Sequence, residues 1–182
     1  MRVPRTFVFV DISGFTNFTN ENGDDAAGRL LASWRAVTRD VASETGVRIA
    51  KWLGDGCMIV AVEQDMAIGF SLDMQKRCED VCQPLTVRVG LATGEVLMFQ
   101  GEDYIGTSVN LASRLCDVAE HNEVLMARAD LRRLPQGVAE NNHDNVTLRG
   151  LGEVEVVALT SQTTLSGIND TGELWTRSPF VT

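Results

Sequence analysis

Two aspartates stand where a cation could be held. Asp11 closes the apolar run Phe7-Val8-Phe9-Val10, and Ser13 and Gly14 then let the backbone turn before Phe15 and Thr16. Asp55 lies in Leu53-Gly54-Asp55-Gly56, a glycine-rich turn between two apolar stretches. A carboxylate at the end of a buried strand, beside free N–H groups, suits a divalent cation and the phosphate it carries. If the strands are neighbours the two carboxylates converge. A metal pair roughly 3.5–4 Å apart can then activate one oxygen and stabilise another as it leaves. Each aspartate also has a plainer use, Asp11 capping a turn and Asp55 completing one.

Two further pairs have complementary chemistry. Asn110 and Arg114 are four apart in a helical stretch, so both leave one face. A carboxamide beside a guanidinium can orient a sugar oxygen and neutralise a crowded phosphate. The alternative is a solvated helix face, although Val109, Leu111 and Ala112 bring Asn110 close to the apolar side. Lys51 and Asp103, each beside an element end, offer one donor and one acceptor. That matches an adenine edge, with its acceptor at N1 and donor at the exocyclic amine, and not guanine, which presents the reverse. As separate residues they would be ordinary surface charges.

The elements that must carry these residues follow from periodicity. The apolar run before Asp11 predicts a strand buried on both faces. Asn22 reads as a helix N-cap, with Asp24 and Asp25 in the first turn. Ala27, Leu30, Leu31, Trp34, Val37 and Val41 recur at helical spacing until Gly46. Strands are expected over 47–52 and 57–62. Met66, Phe70, Met74 and Cys78, spaced by four, predict a helix with a core face. A strand over 85–97 contains Gly90 and Gly94, which mark a bend or a close neighbour. A polar connection, 101–106, leads to a helix over 107–119 and a strand over 123–127. After a polar loop at 141–145, closing strands are expected over 146–148 and 154–159. From Ser161 an irregular tail is expected, despite Trp175 and Phe180. The order predicts an α+β sandwich close to the ferredoxin-like plan, a mostly antiparallel sheet with helices on one face. Residues 1–160 make one domain and 161–182 the tail.

Composition limits the partners. The 182 residues carry a net charge of −9, which argues against nucleic acid and against an anionic membrane surface. No apolar run is long enough to span a bilayer, and because residues 6–10 already read as a strand no secretory leader is expected. Cys57, Cys78, Cys82 and Cys116 lie in apolar surroundings without zinc-ligand spacing, so buried reduced thiols and a cytoplasmic location are expected.

Five stretches in order, FVDISGFT, KWLGDG, VGLATGEV, DYIGTSVNLASRL and LRGLGEVEVVAL, resemble the class III adenylyl/guanylyl cyclase catalytic domain, of a short-armed bacterial type. The likeness runs from about residue 7 to 159. It implies that Asp11 and Asp55 bind two cations, Mg²⁺ or Mn²⁺, with the Ile12 carbonyl as a further ligand. Gly14, Phe15 and Thr16 would cradle the triphosphate with their backbone. Lys51 and Asp103 match the base-selecting pair associated with ATP. Asn110 and Arg114 match the transition-state residues, and Arg149 a basic residue for the terminal phosphates. The family's site is shared across a head-to-tail homodimer, with the aspartates and phosphate loop from one chain and the remainder from the other. The segment from Gly94 to Asp103 is short, Thr107 and Ser108 stand where other members vary, and no regulatory domain is expected.

The resemblance therefore implies an adenylyl cyclase that converts ATP to 3′,5′-cyclic AMP and pyrophosphate. No side-chain general base is evident, His121 and His143 lying in helix-end and loop contexts. One rival changes the base and makes a guanylyl cyclase. Another is a silent cyclase-like module that only binds nucleotide or a partner chain.

Overall fold

The computed structural model describes residues 2–99 and 103–162. In chain order its elements are β1 (Arg2–Ser13), α1 (Phe15–Asn22), α2 (Asp24–Thr45), β2 (Arg48–Leu53), β3 (Gly56–Ala61), α3 (Gln64–Val81), β4 (Thr86–Phe99), β5 (Asp103–Ile105), α4 (Thr107–Val118), β6 (Val124–Ala127), β7 (Val138–Asn142), β8 (Val146–Leu148), β9 (Gly152–Val154) and β10 (Val156–Ser161). The main sheet runs β2-β3-β1-β4-β6-β10-β7, with β5 paired to the far end of β4, while β8 and β9 form a separate hairpin. Among the described strands only β4 and β6 pair in parallel. The β2-β3-β1-β4 half, with helices between its strands, is the ferredoxin-like plan that the element order predicts.

Strand β1 dictates cover on both sides of the sheet. Its even residues Val8, Val10 and Ile12 pack with Trp34 of α2 and with Phe70 and Met74 of α3. On the other side Phe7 and Phe9 meet Met58, Val60 and Ala112 of α4. The expectation of helices on one face is thus corrected: α2 and α3 cover one face and α4 the other. The physical reason is β1 itself, whose unbroken apolar run would leave Phe7 and Phe9 in water under a one-sided cover. Gly90 makes the second layer fit. A Cβ there would lie 2.2 Å from Cys116 N and 2.3 Å from Ala112 O, so the backbone of α4 rests directly on β4.

Other differences are local. Asn22 ends α1, its side chain donating to Phe18 C=O at 3.0 Å, and Gly23, with φ of +80°, precedes α2 in its place. Asp24 and Asp25 do occupy the first turn of α2, and Gly46 ends it. Helix α1 escapes the periodicity because it is short, polar and buries no residue fully. Met66 is exposed, whereas Phe70, Met74 and Cys78 form the predicted core face. Within the expected connection 101–106, residues Asp103–Ile105 form β5. Asn141 and Asn142, expected in a loop, belong to the edge strand β7, whose polar sequence hides its pairing. Ser161 closes β10, and Gln162 N–H donates to Gly137 C=O at 2.7 Å; 163–182, including Trp175 and Phe180, lie outside the described residues. The four cysteines are free and buried. No helix among the described residues is long and apolar enough to cross a membrane.

Candidate active site

The two aspartates converge because β1 and β3 are neighbours. Asp11 lies opposite Gly56, and Ile12 N–H donates to Asp55 C=O at 3.2 Å. A Cβ on Gly56 would sit 2.9 Å from Val10 O and 3.1 Å from Asp11 Oδ1, so a residue without one lets the turn close on the carboxylate. Asp11 is raised above the ordinary aspartate value, first by burial, then against the lowering effect of Arg88, and further by the charge of Asp55. A half-buried carboxylate facing a like charge favours a cation. Two carboxylates with the Ile12 carbonyl would make an all-oxygen ligand set, the kind that suits Mg²⁺ or Mn²⁺. Among the described residues no cluster of three or more His, Cys, Asp or Glu side chains could hold a metal unaided. Water and substrate phosphate would have to complete the shell, as is usual for Mg²⁺.

Two arginines at this end were not foreseen from the sequence. Arg88 lies opposite Asp11 on β4 and grips its Oδ2 with Nε at 3.0 Å and Nη2 at 2.7 Å. A lone cation between Val87 and Val89 in an apolar strand is the sequence signal that marks it. Arg35 of α2 donates from Nη2 to Gly54 C=O at 3.0 Å, pinning the turn that bears Asp55. Its guanidinium also lies 5.0 Å from the ring of Trp52, which packs edge-on against Trp34 at 5.6 Å.

Gly14, Phe15 and Thr16, the residues expected to cradle phosphate, lie at the start of α1. Gly14 has φ of +81°, and its C=O accepts from Phe18 N–H at 3.0 Å. Phe15 and Thr16 form the first turn, where backbone N–H groups have no partner within the helix. Ser13 Oγ beside them is buried and has no hydrogen-bond partner among the described residues. Arg149 sits exposed in the β8–β9 turn, on a hairpin whose Leu148 and Leu151 pack against Leu115 and Ala119. Among the described residues no ion pair joins it to Asp11 or Asp55.

Lys51 Nζ and Asp103 Oδ1 form an ion pair, so the donor and acceptor do come together. Asn110 and Arg114 both lie on the exposed side of α4. Arg114 Nη1 donates to Asp117 Oδ2 at 3.1 Å, and the Asp117 C=O accepts from Arg88 Nη1 at 3.1 Å. A polar chain therefore links Arg114 to Asp11. The Arg114–Asp117 pair is about half exposed and three residues apart on a helix, worth at most a few tenths of a kcal/mol. It leaves Arg114 free to take a stronger anion. Among the described residues neither hydrogen bonds nor ion pairs connect the Lys51–Asp103 pair to the Asp11–Asp55 group.

Residues 4–161 match the family of the adenylate and guanylate cyclase catalytic domain. The chain belongs to that family. The cyclase domain is 34% identical over 142 residues to an uncharacterised protein of Mycobacterium tuberculosis, covering 78% of this chain and 37% of the relative. It is 33% identical over 127 residues to a protein of Streptomyces griseus named adenylate cyclase, covering 69% of this chain and 31% of the relative. It thus spans about a third of the length of these curated relatives. Among solved structures, the adenylyl cyclase CyaB from P. aeruginosa superposes with a TM-score of 0.75 at 25% identity, covering 88% of this chain and 95% of that one. The guanylate cyclase domain of RhGC from Catenaria anguillulae, in complex with GTP, gives 0.77 at 19% identity, covering 88% and 98%, a likeness of fold.

Proposed function

We propose that this cyclase domain is an adenylyl cyclase, converting ATP to 3′,5′-cyclic AMP and pyrophosphate at two equivalent sites shared between two copies of the chain. The observation that carries the choice of base is the Lys51–Asp103 pair, which presents an ammonium and a carboxylate side by side. An ammonium can donate to adenine N1 and a carboxylate can accept from its amino group; guanine would meet the wrong partner at both points. The Streptomyces griseus relative's name agrees with this base.

Division of the site between copies is supported by three features. Lys51 and Asp103 are not joined to the aspartate group within the chain. Asn110 and Arg114 face outward from α4, and Leu97, Phe99 and Ile105 expose apolar surface on the β4–β5 hairpin, where a partner chain would cover it. Two-fold symmetry would then generate two identical sites.

Asp11, Asp55 and the Ile12 carbonyl would hold two Mg²⁺ or Mn²⁺ ions per site, which supply Lewis-acid activation of the ribose 3′-hydroxyl and neutralise the triphosphate. The backbone N–H groups of Gly14, Phe15 and Thr16 orient the β- and γ-phosphates, aided by Arg149 from the partner copy. Asn110 holds the ribose so that its 3′-oxygen lies in line with the departing pyrophosphate. Arg114 stabilises charge on the α-phosphoryl group as the bond to the bridging oxygen breaks.

Turnover of ATP and GTP, measured with Mg²⁺ and then Mn²⁺ across protein concentrations, tests the reading. ATP should be preferred, and specific activity should rise with concentration. A Lys51→Glu, Asp103→Cys double variant should shift preference toward GTP, and an unchanged preference would remove the base assignment. Nucleotide binding without cyclisation under every condition would favour the silent module.

A further inference from the structure

The Lys51–Asp103 pair poses a positioning problem. Strand β5, which carries Asp103, hydrogen-bonds only to Leu97–Phe99 of β4 among the described strands. Lys51 lies on β2, the sheet edge, three places from β4 in the order β2-β3-β1-β4. At about 4.8 Å per strand that is a lateral gap of about 14 Å. The β4–β5 hairpin must therefore lean across the α4 face of the sheet to bring Asp103 to Lys51. The ion pair itself cannot hold it there, because its side chains are 49% and 51% exposed, and exposed pairs are weak.

Tyr104 supplies the missing hold. Its ring packs edge-on against the fully buried Phe7 of β1, with centroids 5.3 Å apart and planes at 69°. Its hydroxyl accepts a hydrogen bond from Arg48 Nη2 at 3.0 Å, and the same guanidinium lies 5.7 Å from the ring centroid. Neighbouring β5 residues thus reach neighbouring cations of β2, Tyr104 to Arg48 and Asp103 to Lys51.

Strand geometry alone would forbid this. Residues 48 and 51 are three apart, and in a regular strand they face opposite sides. The β2–β3 register shifts between Ile49 and Lys51, however, so that Arg48 opposes Val60 and Lys51 opposes Met58. Val60 and Met58 both belong to the α4-side core. Ala50 is the extra residue of a β-bulge, and it turns both cations toward β5.

We propose that Tyr104, bridged by Arg48, is a positioning residue for base selection: it clamps β5 over β2 and so fixes Asp103 at Lys51. This rests on the reading of Lys51 and Asp103 as the base-selecting pair. Tyr104→Phe is the clean variant, keeping the ring on Phe7 and removing only the hydrogen bond. Hydrogen exchange of a peptide spanning 103–105 reads the clamp without reference to catalysis. It should speed up about fivefold or more in Tyr104→Phe and in Arg48→Ala, less in Arg48→Lys, and no further in the double variant. The ratio of kcat/KM for ATP over GTP should fall about fivefold or more in the same variants, mainly through the KM for ATP, with Tm unchanged.

Unchanged exchange in Tyr104→Phe would overturn the clamp. Faster exchange with an unchanged ATP/GTP ratio would overturn its role in selection, provided that the Lys51→Glu, Asp103→Cys variant does move the ratio. If that variant also fails to move it, the base assignment has failed, and the exchange data still decide the clamp. The protein has one tyrosine, so a 3-fluorotyrosine label gives a single ¹⁹F resonance. ATP should displace that resonance in the wild-type protein, and its indifference to ATP would likewise count against Tyr104 lying at the base pocket.

Discussion

Arg88 faces Asp11 across the β1–β4 ladder and occupies one carboxylate oxygen with two N–H groups, at 3.0 and 2.7 Å. Without a metal, the guanidinium is the counter-charge of the aspartate that is read as its ligand. The pair is about a third or less exposed, so removing the arginine leaves a poorly solvated carboxylate beside Asp55. Arg88→Ala should therefore lower stability without metal by about 1–3 kcal/mol. Saturating Mn²⁺ should recover much of that loss, giving a larger metal-induced rise in Tm than in the wild type. Equal rises in the two proteins would mean that Arg88 and the cation do not share Asp11.

Arg35 acts one step behind Asp55. Its bond to Gly54 C=O and its place beside Trp52 hold the hairpin turn against α2. Arg35→Ala should weaken Mn²⁺ binding, followed by paramagnetic resonance, about 3- to 30-fold. Arg39→Ala is the control, since Arg39 also lies over Trp52, at 5.3 Å, but among the described residues its N–H donates to the Arg35 carbonyl alone, at 3.5 Å. Equal losses in both variants would assign the effect to ring contact and not to the pinned turn.

Asp130 gives a pH signature away from the site. Burial raises its carboxyl above the ordinary 3.8, while the bond from Thr93 N–H at 2.9 Å and the charge of Arg132 oppose the rise. In the window above 3.8 the folded state binds more protons than the unfolded state, so this group makes stability fall as pH rises. Asp130→Asn, which keeps an acceptor for Thr93, should remove that slope. Denaturant unfolding of both proteins from pH 3 upward should show the variant gaining relative stability until the native carboxyl is fully ionised. A difference independent of pH would show that Asp130 titrates normally.

Much of this was legible in the chain because the informative residues sit at element ends. Glycines beside Asp11 and Asp55 announced turns, and the ferredoxin-like order followed from alternating periodicities. The second helical layer was harder to see: Val109, Leu111, Ala112 and Leu115 show that α4 has an apolar side, but not which sheet face it covers. That depended on Phe7 and Phe9 pointing away from Val8 and Val10. The bulge at Ala50 leaves no mark in composition, and it decides that Arg48 and Lys51 share a side. The lone cation between Val87 and Val89 marks Arg88 as unusual, but its partner Asp11 and the Gly54 partner of Arg35 are distant in sequence, so the contacts themselves have no local pattern.

The proposed shared site pairs the aspartates of one copy with the arginine of another. Asp11→Ala and Arg114→Ala chains should each be inactive alone. Mixed under conditions where subunits exchange, they should form a heterodimer with one intact site and one doubly damaged site, giving up to about a quarter of wild-type activity per total chain at equal mixing. Mixed dimers that form, as shown by native mass spectrometry, yet make no cyclic nucleotide would contradict the shared site.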